Sequence, residues 1–442
     1  MTARGFSRRE WLALAGCLGA PSALAQPRAT APASPAAETL VVRAAALLRP
    51  GLPPLRDVAV TVADGLVREV TGTPVDAREF SPPEGTMTAG FVDLLTSTGL
   101  VEVELEATSR DDSHPSPDPI RAAFRAADAY NPASMVIPVT RMGGLTSVGV
   151  VPRGGLVAGR SAWADLAGDT AQEALAVPEL ALHVAIDDGG PDGEHVSRST
   201  SILRLRELLE DARVFARSPA AFERNQLYRM SASRLDLAVV GQALAGKLPV
   251  VFHVDRASDI LVVLALANEW RLRAVVASAA EGWRVARQLA AAKVPVIVNP
   301  FDDLPRSFAA LQANEGNAAR LAAAGVTVCL STGETHNARK LRQAAGNAVR
   351  AGLPYDDALR AVTSSPARAF GLDARYGSVE PGKIANLVVW SGDPFETRVR
   401  PTALYVRGRQ LALRSRQTTL FGRYRSLAER SRQARDRAAR TR

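Results

Sequence analysis

From Gly90 to about Gly371 the sequence alternates between two kinds of segment, and this alternation constrains the fold more than any other feature. Apolar runs with strand character are Phe91–Leu95, Thr146–Val151, Leu180–Ile186, Pro249–Val254, Ala274–Ala277, Pro295–Val298 and Thr327–Ser331. Stretches with helical periodicity include Asp259–Trp270, Gly282–Ala292, Ala318–Ala324 and Lys340–Ala351. Such alternation over roughly 280 residues predicts parallel β-α units, and a closed (β/α)8 barrel fits this length.

Two β-rich pieces flank the alternating region. Their strand-like runs are Leu40–Arg43, Val58–Val62 and Leu66–Val70 on one side, and Asn386–Trp390, Leu404–Arg407 and Gln410–Leu413 on the other. Each piece has too few strands to be stable alone, but together they would form one small domain. The predicted fold class is therefore α/β, a (β/α)8 TIM-like barrel with a small accessory β-sandwich domain built from both ends of the chain.

These patterns predict a sequence of segments along the chain. The predicted segments are residues 1–25 (a Tat-like signal peptide), 26–37 (a disordered leader), 38–88 (the first part of the accessory β domain), 89–377 (the barrel), 378–415 (the second part of the accessory domain) and 416–442 (an Arg-rich tail).

The first segment has the features of an export signal. Arg8 and Arg9 precede the apolar run Trp11–Ala20, and the small residues Ala23–Ala25 fit a cleavage site. The apolar run is too short to span a bilayer. We therefore expect an exported, periplasmic protein, with a lipid anchor on Cys17 as the alternative.

The formal net charge of +9 is concentrated near one end of the chain. From Arg423 to Arg442 there are eight arginines against Glu429 and Asp436, and the body of the chain is nearly neutral. This distribution argues against a specific nucleic-acid partner. The basic segment is expected either to contact a membrane surface peripherally or to be a solvated, partly helical end.

Three segments resemble the amidohydrolase superfamily, in particular its imidazolonepropionase-like branch. The strongest runs from Ala358 to Trp390 and contains A-V-T-S-S-P-A-R-A-F-G-L and G-S-V-E-P-G-K-I-A-N-L-V-V-W. The others are P-V-V-F-H-V-D-R-A-S-D-I (Pro249–Ile260) and G-L-T-S-V-G-V-V (Gly144–Val151). The resemblance implies metal-dependent hydrolysis of carbon–nitrogen bonds, in which a divalent metal such as zinc activates a bound water at the barrel mouth.

The sequence departs from that family at most of its metal-ligand positions. The His-x-His pair after the first barrel strand, the His after the sixth and the Asp after the eighth are replaced by Leu95, Ser97, Ser278 and Gly333. The resemblance leaves His253 as the fifth-strand ligand. The fourth-strand ligand stays open between His183 and a position near Asp188. Of these two positions we take Asp188, with His253, as the metal candidates.

Catalytic zinc normally needs about three protein ligands. We therefore predict no bound cofactor and a catalytically degraded member, a pseudoenzyme that binds a ligand or partner. The alternative is an active hydrolase that acts on carbon–nitrogen bonds, non-peptide amides or cyclic amides, with an atypical metal site.

Glu334 and His336 directly follow Gly333 and are the candidate catalytic residues. With His253 they would form a relocated site, whereas capping of a barrel loop is the structural alternative for Glu334. Arg153 lies in the glycine-rich segment Pro152–Gly159, which is either a flexible barrel loop or a carboxylate-binding loop.

The predicted ligand-binding residues are thus Arg153 and His253. The predicted partners are a small-molecule ligand or an active amidohydrolase relative, and a homo- or hetero-oligomer is left open.

Overall fold

The structure is a computed structural model that describes residues 39–76, 80–113, 118–186, 197–217, 224 and 228–440. The predicted signal peptide and leader, and the candidate ligand Asp188, lie outside these residues. Within the described ranges, no helix combines the length and the hydropathy that a membrane span requires.

The strands of the described residues follow in chain order. The first four are β1 (Leu40–Leu47), β2 (Leu55–Ala63), β3 (Leu66–Pro74) and β4 (Thr86–Ala89). The next eight are β5 (Phe91–Thr96), β6 (Leu145–Val150), β7 (Val157–Asp165), β8 (Leu175–Ala185), β9 (Val250–Val254), β10 (Ala274–Ser278), β11 (Val296–Val298) and β12 (Val328–Leu330). The last are β13 (Leu387–Trp390), β14 (Pro401–Val406) and β15 (Arg409–Gln410).

Helices occupy most of the connections between these strands. They are α1 (Val136–Arg141), α2 (Ala171–Ala174), α3 (Arg198–Arg217), α4 (Arg234–Leu244), α5 (Ala257–Trp270), α6 (Ala286–Ala291), α7 (Asn317–Ala323), α8 (Leu341–Arg350), α9 (Tyr355–Val362), α10 (Ser364–Ala369) and α11 (Arg416–Arg440).

Strands β5 to β12 form one eight-stranded sheet in sequential order. Alternate side chains of these strands, among them Val92, Trp163, Val251 and Cys329, pack into a common buried cluster. Cys329 is a buried free thiol. Together with the matches to known structures described below, this nearly closed sheet confirms the predicted TIM-like barrel.

One barrel strand runs against the others. Strand β7 pairs antiparallel with both β6 and β8, whereas the other neighbouring pairs in this sheet are parallel. The reason lies in chain length. Only residues 151–156 connect β6 to β7, and a parallel crossover needs a dozen or more residues. Part of the glycine-rich segment that the sequence suggested as a loop is therefore a tight strand connection, and Val157–Gly159 belong to β7.

The accessory β domain is confirmed as a product of both chain ends. Its seven strands lie in the order β15-β14-β13-β4-β1-β2-β3, so that β13 pairs with β4. Asp64 and Gly65 both have positive φ, 55° and 74°, at the turn between β2 and β3. A two-residue hairpin turn of this kind requires that conformation, which Asp-Gly adopts readily.

Asp165 joins the barrel to the accessory domain. This fully buried carboxylate at the end of β7 accepts hydrogen bonds from Ser147 Oγ (2.7 Å), Tyr376 Oη (3.0 Å) and Asn386 Nδ2 (3.3 Å). It also forms an ion pair with Arg407 Nε at 2.6 Å. Since Asn386 and Arg407 belong to the accessory domain, this carboxylate connects that domain to the barrel. We call these five residues the Asp165 junction.

Candidate ligand-binding site at the barrel mouth

A cavity of about 380 Å³ opens at the carboxyl ends of the barrel strands. We call it the mouth cavity. The lining residues that matter for its chemistry are Leu95, Arg153, His183, His253, Ser278, Asp302, Arg306, Gly333 and Glu334. The cavity therefore lies where barrel folds normally carry their functional groups, because the strand ends and their loops converge there.

The floor of the mouth cavity contains two histidines in contact. His183 Nδ1 and His253 Nε2 lie 2.9 Å apart and share a hydrogen bond. His183 is 2% exposed, and its other ring nitrogen, Nε2, has no hydrogen-bond partner among the described residues. Buried polar atoms are almost always paired, and this unpaired nitrogen belongs to a residue that lines the cavity.

Both imidazoles are held neutral by their surroundings. Burial, together with the smaller effect of the nearby positive charge of Arg153, lowers the pKa of His253 to about 4. Burial also holds the pKa of His183 well below 6.5, with His253 and Arg153 acting in the same direction. Neutral imidazole can donate or accept a hydrogen bond at a free nitrogen, according to its tautomer.

Arg153 reaches the mouth cavity from the tight connection between β6 and β7. Its Nη2 donates to the carbonyl oxygen of Gly333 at 2.9 Å, and its Nε donates to Ser97 Oγ at 3.3 Å. Nε also lies 3.6 Å from Asp112 Oδ2. These contacts fix the guanidinium between the loops that follow β5 and β12, and Nη1 makes no hydrogen bond to the described part of the chain.

The loop after β12 is fixed from inside the barrel by Asp93. This carboxylate on β5 accepts hydrogen bonds from the hydroxyl of Ser331 and from Thr332, at 3.0 Å from the backbone N and 2.7 Å from Oγ1. Burial raises the pKa of Asp93 although these bonds oppose the shift. The contact joins the first and last barrel strands and positions Gly333 and Glu334 at the rim.

Two carboxylates and a second arginine line the outer wall. Asp302 forms an ion pair with Arg306 at 2.6 Å. Burial raises the pKa of Asp302, and Glu334 contributes in the same direction, whereas Arg306 opposes it. Glu334 is exposed, and its backbone N donates to Thr332 Oγ1 at 3.2 Å.

Not all of the candidate residues predicted from the sequence line the mouth cavity. Arg153, His253 and Glu334 line the mouth cavity. His336 is not among its lining residues, because its ring turns to Glu102 O (2.9 Å) and Glu104 Oε1 (3.3 Å). The role of these residues in catalysis stays a prediction.

His183 was only one of two alternatives for the fourth-strand ligand in the sequence, and it was not among the predicted site residues. A signal was present in the pattern. His183 lies near the carboxyl end of its strand-like run, as His253 does, and adjacent parallel strands bring such positions together. Asp302 and Arg306 carried no comparable signal, since they belong to an irregular loop.

The described donors do not fit a divalent cation. Within the described part of the chain, no three His, Cys, Asp or Glu side chains are grouped to hold a metal. Leu95 presents hydrocarbon to the cavity, and the Ser97 hydroxyl is hydrogen-bonded to Asp112 at 3.1 Å. The charge of Arg153 beside the two imidazoles also opposes a cation.

Comparison with known proteins gives the family. The profile described as "Amidohydrolase family" matches residues 172–422. This match covers more than half of the 442 residues, and the chain belongs to the amidohydrolase family.

One curated relative is Amidohydrolase tasK from Hapsidospora irregularis. It is 24% identical over 389 residues, a match that covers 79% of this chain and 39% of that protein. This chain therefore spans less than half the length of that relative.

The fold is shared with solved structures. An amidohydrolase from Thermotoga maritima MSB8 superposes with a TM-score of 0.75 and 24% identity, over 85% of this chain and 100% of that one. An adenosine deaminase from Xanthomonas campestris, solved with bound zinc, gives a TM-score of 0.50 and 18% identity, over 89% and 98% of the two chains. At these identities the likeness is one of fold.

Proposed function

We propose that this protein binds a small carboxylate-bearing ligand in the mouth cavity and does not hydrolyse it through the family's metal-bound water. The observation that carries the proposal is the neutral His183–His253 pair beside the guanidinium of Arg153, in which one nitrogen has no hydrogen-bond partner among the described residues. This arrangement offers a fixed positive charge and a directed hydrogen-bonding atom to one bound group.

Arg153 supplies the charge. A guanidinium recognises a carboxylate through parallel N–H donors, and such charge-assisted hydrogen bonds are among the stronger ones in proteins. Nε and Nη2 already donate to Ser97 and Gly333, so Nη1 is the nitrogen that would donate to the ligand.

His183 supplies the second contact. When His253 Nε2–H donates to His183 Nδ1, the proton of neutral His183 resides on Nε2. That N–H then donates to the ligand carboxylate, and burial makes the bond worth more than it would be in water. Ligand binding thus selects one tautomer of the pair.

The second candidate function is hydrolysis of carbon–nitrogen bonds with an atypical site for a metal such as zinc. Family membership is the observation that favours it. The donors of the described residues support it poorly, and the segment with Asp188 would have to complete the ligand set.

N-acetylalanine distinguishes the two functions because it carries both a carboxylate and a carbon–nitrogen bond. We expect calorimetric binding of N-acetylalanine, at least about tenfold weaker binding of N-acetylalaninamide, and no released alanine. Arg153→Gln should reduce the affinity for N-acetylalanine to that of the wild type for N-acetylalaninamide. Arg206→Gln, at an exposed arginine paired with Glu269, is the matched control.

A different result would establish hydrolysis instead of ligand binding alone. Near one equivalent of tightly held metal in the purified protein, together with alanine release that His253→Ala abolishes, would establish the second function and refute the first.

We also propose that the protein is exported, on the support of the sequence between Arg8 and Ala25 alone. Cell fractionation of the chain with Arg8 and Arg9 replaced by Lys tests this. Recovery of the unaltered protein in the cytoplasmic fraction would contradict export, and equal periplasmic recovery of both forms would contradict the twin-arginine route.

A further inference from the structure

The helix α11 (Arg416–Arg440) presents an apolar stripe to solvent. Every residue from Arg416 to Leu427 is exposed. The large apolar side chains of this segment and their exposed fractions are Leu420 (37%), Phe421 (67%), Tyr424 (54%) and Leu427 (49%). Contiguous exposed apolar surface of this kind usually marks an interaction site.

The stripe results from helical spacing. Leu420, Tyr424 and Leu427 are separated by four and three residues and therefore lie on one face, with Phe421 at its margin. Ser415, the residue directly before the helix, is buried, and its Oγ caps the first turn by accepting a hydrogen bond from Thr418 N at 3.3 Å. The four apolar side chains of the stripe are thus exposed on a helix whose first turn is capped.

Arginines border the stripe. The 3.6-residue period places Arg423 on one flank and Arg425 and Arg432 on the other. Over its whole length, the sequence of α11 contains eight arginines against Glu429 and Asp436. An apolar face with arginine-rich flanks and low mean hydropathy is typical of helices that lie in a membrane interface.

Charge decides between the possible occupants of this surface. A second copy of α11 would bring arginine flanks against arginine flanks, which repel each other. An anionic lipid surface complements the same flanks and accepts the apolar stripe between headgroups and acyl chains. We propose that α11 binds this protein peripherally to anionic membranes, through the stripe of Leu420, Phe421, Tyr424 and Leu427.

The proposal is independent of the ligand in the mouth cavity, and vesicle sedimentation of the full chain tests it. Vesicles of equal parts phosphatidylcholine and phosphatidylglycerol should bind at least about tenfold more protein than vesicles of phosphatidylcholine alone, because each basic residue near an anionic surface favours binding. Added salt should reduce this binding.

Matched variants separate the helix from other exposed apolar surface. Phe421→Ser with Leu427→Ser should reduce binding to anionic vesicles about tenfold or more, with an unchanged circular dichroism spectrum. Phe308→Ser with Leu304→Ser, the same changes at exposed residues of the loop after β11, should leave binding unchanged. The proposal is overturned by equal binding to both vesicle types, by equal losses in the two double variants, or by binding only to an acidic polypeptide such as polyglutamate.

Discussion

The Asp165 junction and the His183–His253 pair are both buried polar clusters, but they differ in how completely their atoms are paired. Asp165 has partners on Ser147, Tyr376, Asn386 and Arg407. His183 has one partner, and its Nε2 has none among the described residues. A fully paired cluster stabilises and specifies the fold. In the proposed function, the unpaired nitrogen of the incomplete cluster contacts the ligand.

The largest expected effect comes from breaking the complete cluster. Asp165→Ala leaves Arg407 Nε and the donors of Ser147, Tyr376 and Asn386 without this acceptor. We expect a loss of about 3 to 5 kcal/mol in the free energy of unfolding, measured by urea denaturation. Asp169→Ala, at an exposed carboxylate nearby, should change it by about 0.5 kcal/mol or less. A loss below about 1 kcal/mol for Asp165→Ala would mean that the fully paired Asp165 junction does not stabilise the fold more than the incompletely paired histidine pair does.

The second prediction concerns pH. The pKa of His253 is about 4 in the folded protein and 6.5 in the unfolded reference state. Between these pH values the imidazole is protonated in the unfolded chain but not in the folded one, so acidification favours unfolding. The pair should therefore contribute constant stability above pH 6.5. That contribution should fall by up to about 3 kcal/mol as pH decreases to about 4.

Comparison with the double variant His183→Phe/His253→Phe isolates this effect from that of the carboxylates. The difference in unfolding free energy between the wild type and the double variant should shrink in that pH window. A difference that is constant from pH 4 to pH 7 would show that these imidazoles are not held neutral.

The single variants should have smaller effects at pH 7. His183→Phe removes the partner of His253 Nε2 and should cost about 1 to 2 kcal/mol of stability. In a double-mutant cycle with His253→Phe, we expect a coupling free energy of about 1 kcal/mol. Additive effects of the two changes would mean that the 2.9 Å contact contributes nothing.

The smallest effect is expected at Gly333, which has a φ of +66° and open space where a Cβ would lie. Gly333→Asp restores the carboxylate of the family pattern, and the left-handed conformation should cost about 1 kcal/mol of stability. Zinc should not raise the melting temperature of this variant, since Leu95 and Ser97 remain. A zinc-dependent rise would mean that the site needs one carboxylate only. Gly325→Asp, also at positive φ in open space, is the control.

The sequence predicted the barrel well because its parallel strands are buried on both faces and appear as apolar runs. Strand β7 was missed, since the segment after Pro152 begins with glycines that indicate a loop. The hairpin that they form reverses the strand direction and delivers Arg153 to the mouth cavity.

The site was predictable only in part. His253 and Arg153 followed from the resemblance and from side-chain chemistry. The pairing of His183 with His253 depends on the register between β8 and β9, which sequence periodicity does not specify. The turn of His336 toward Glu102 depends on loop geometry, which no local pattern encodes.

The position of β4 between β1 and β13 has a consequence for biosynthesis. While the ribosome is still producing the barrel, the edge of β4 that will meet β13 has no neighbour, and unpaired edges invite aggregation. The edge of β4 must therefore remain unpaired, or be covered by another molecule, until Trp390 has left the exit tunnel. Only then can β13 pair with β4 and join strands from the two ends of the chain.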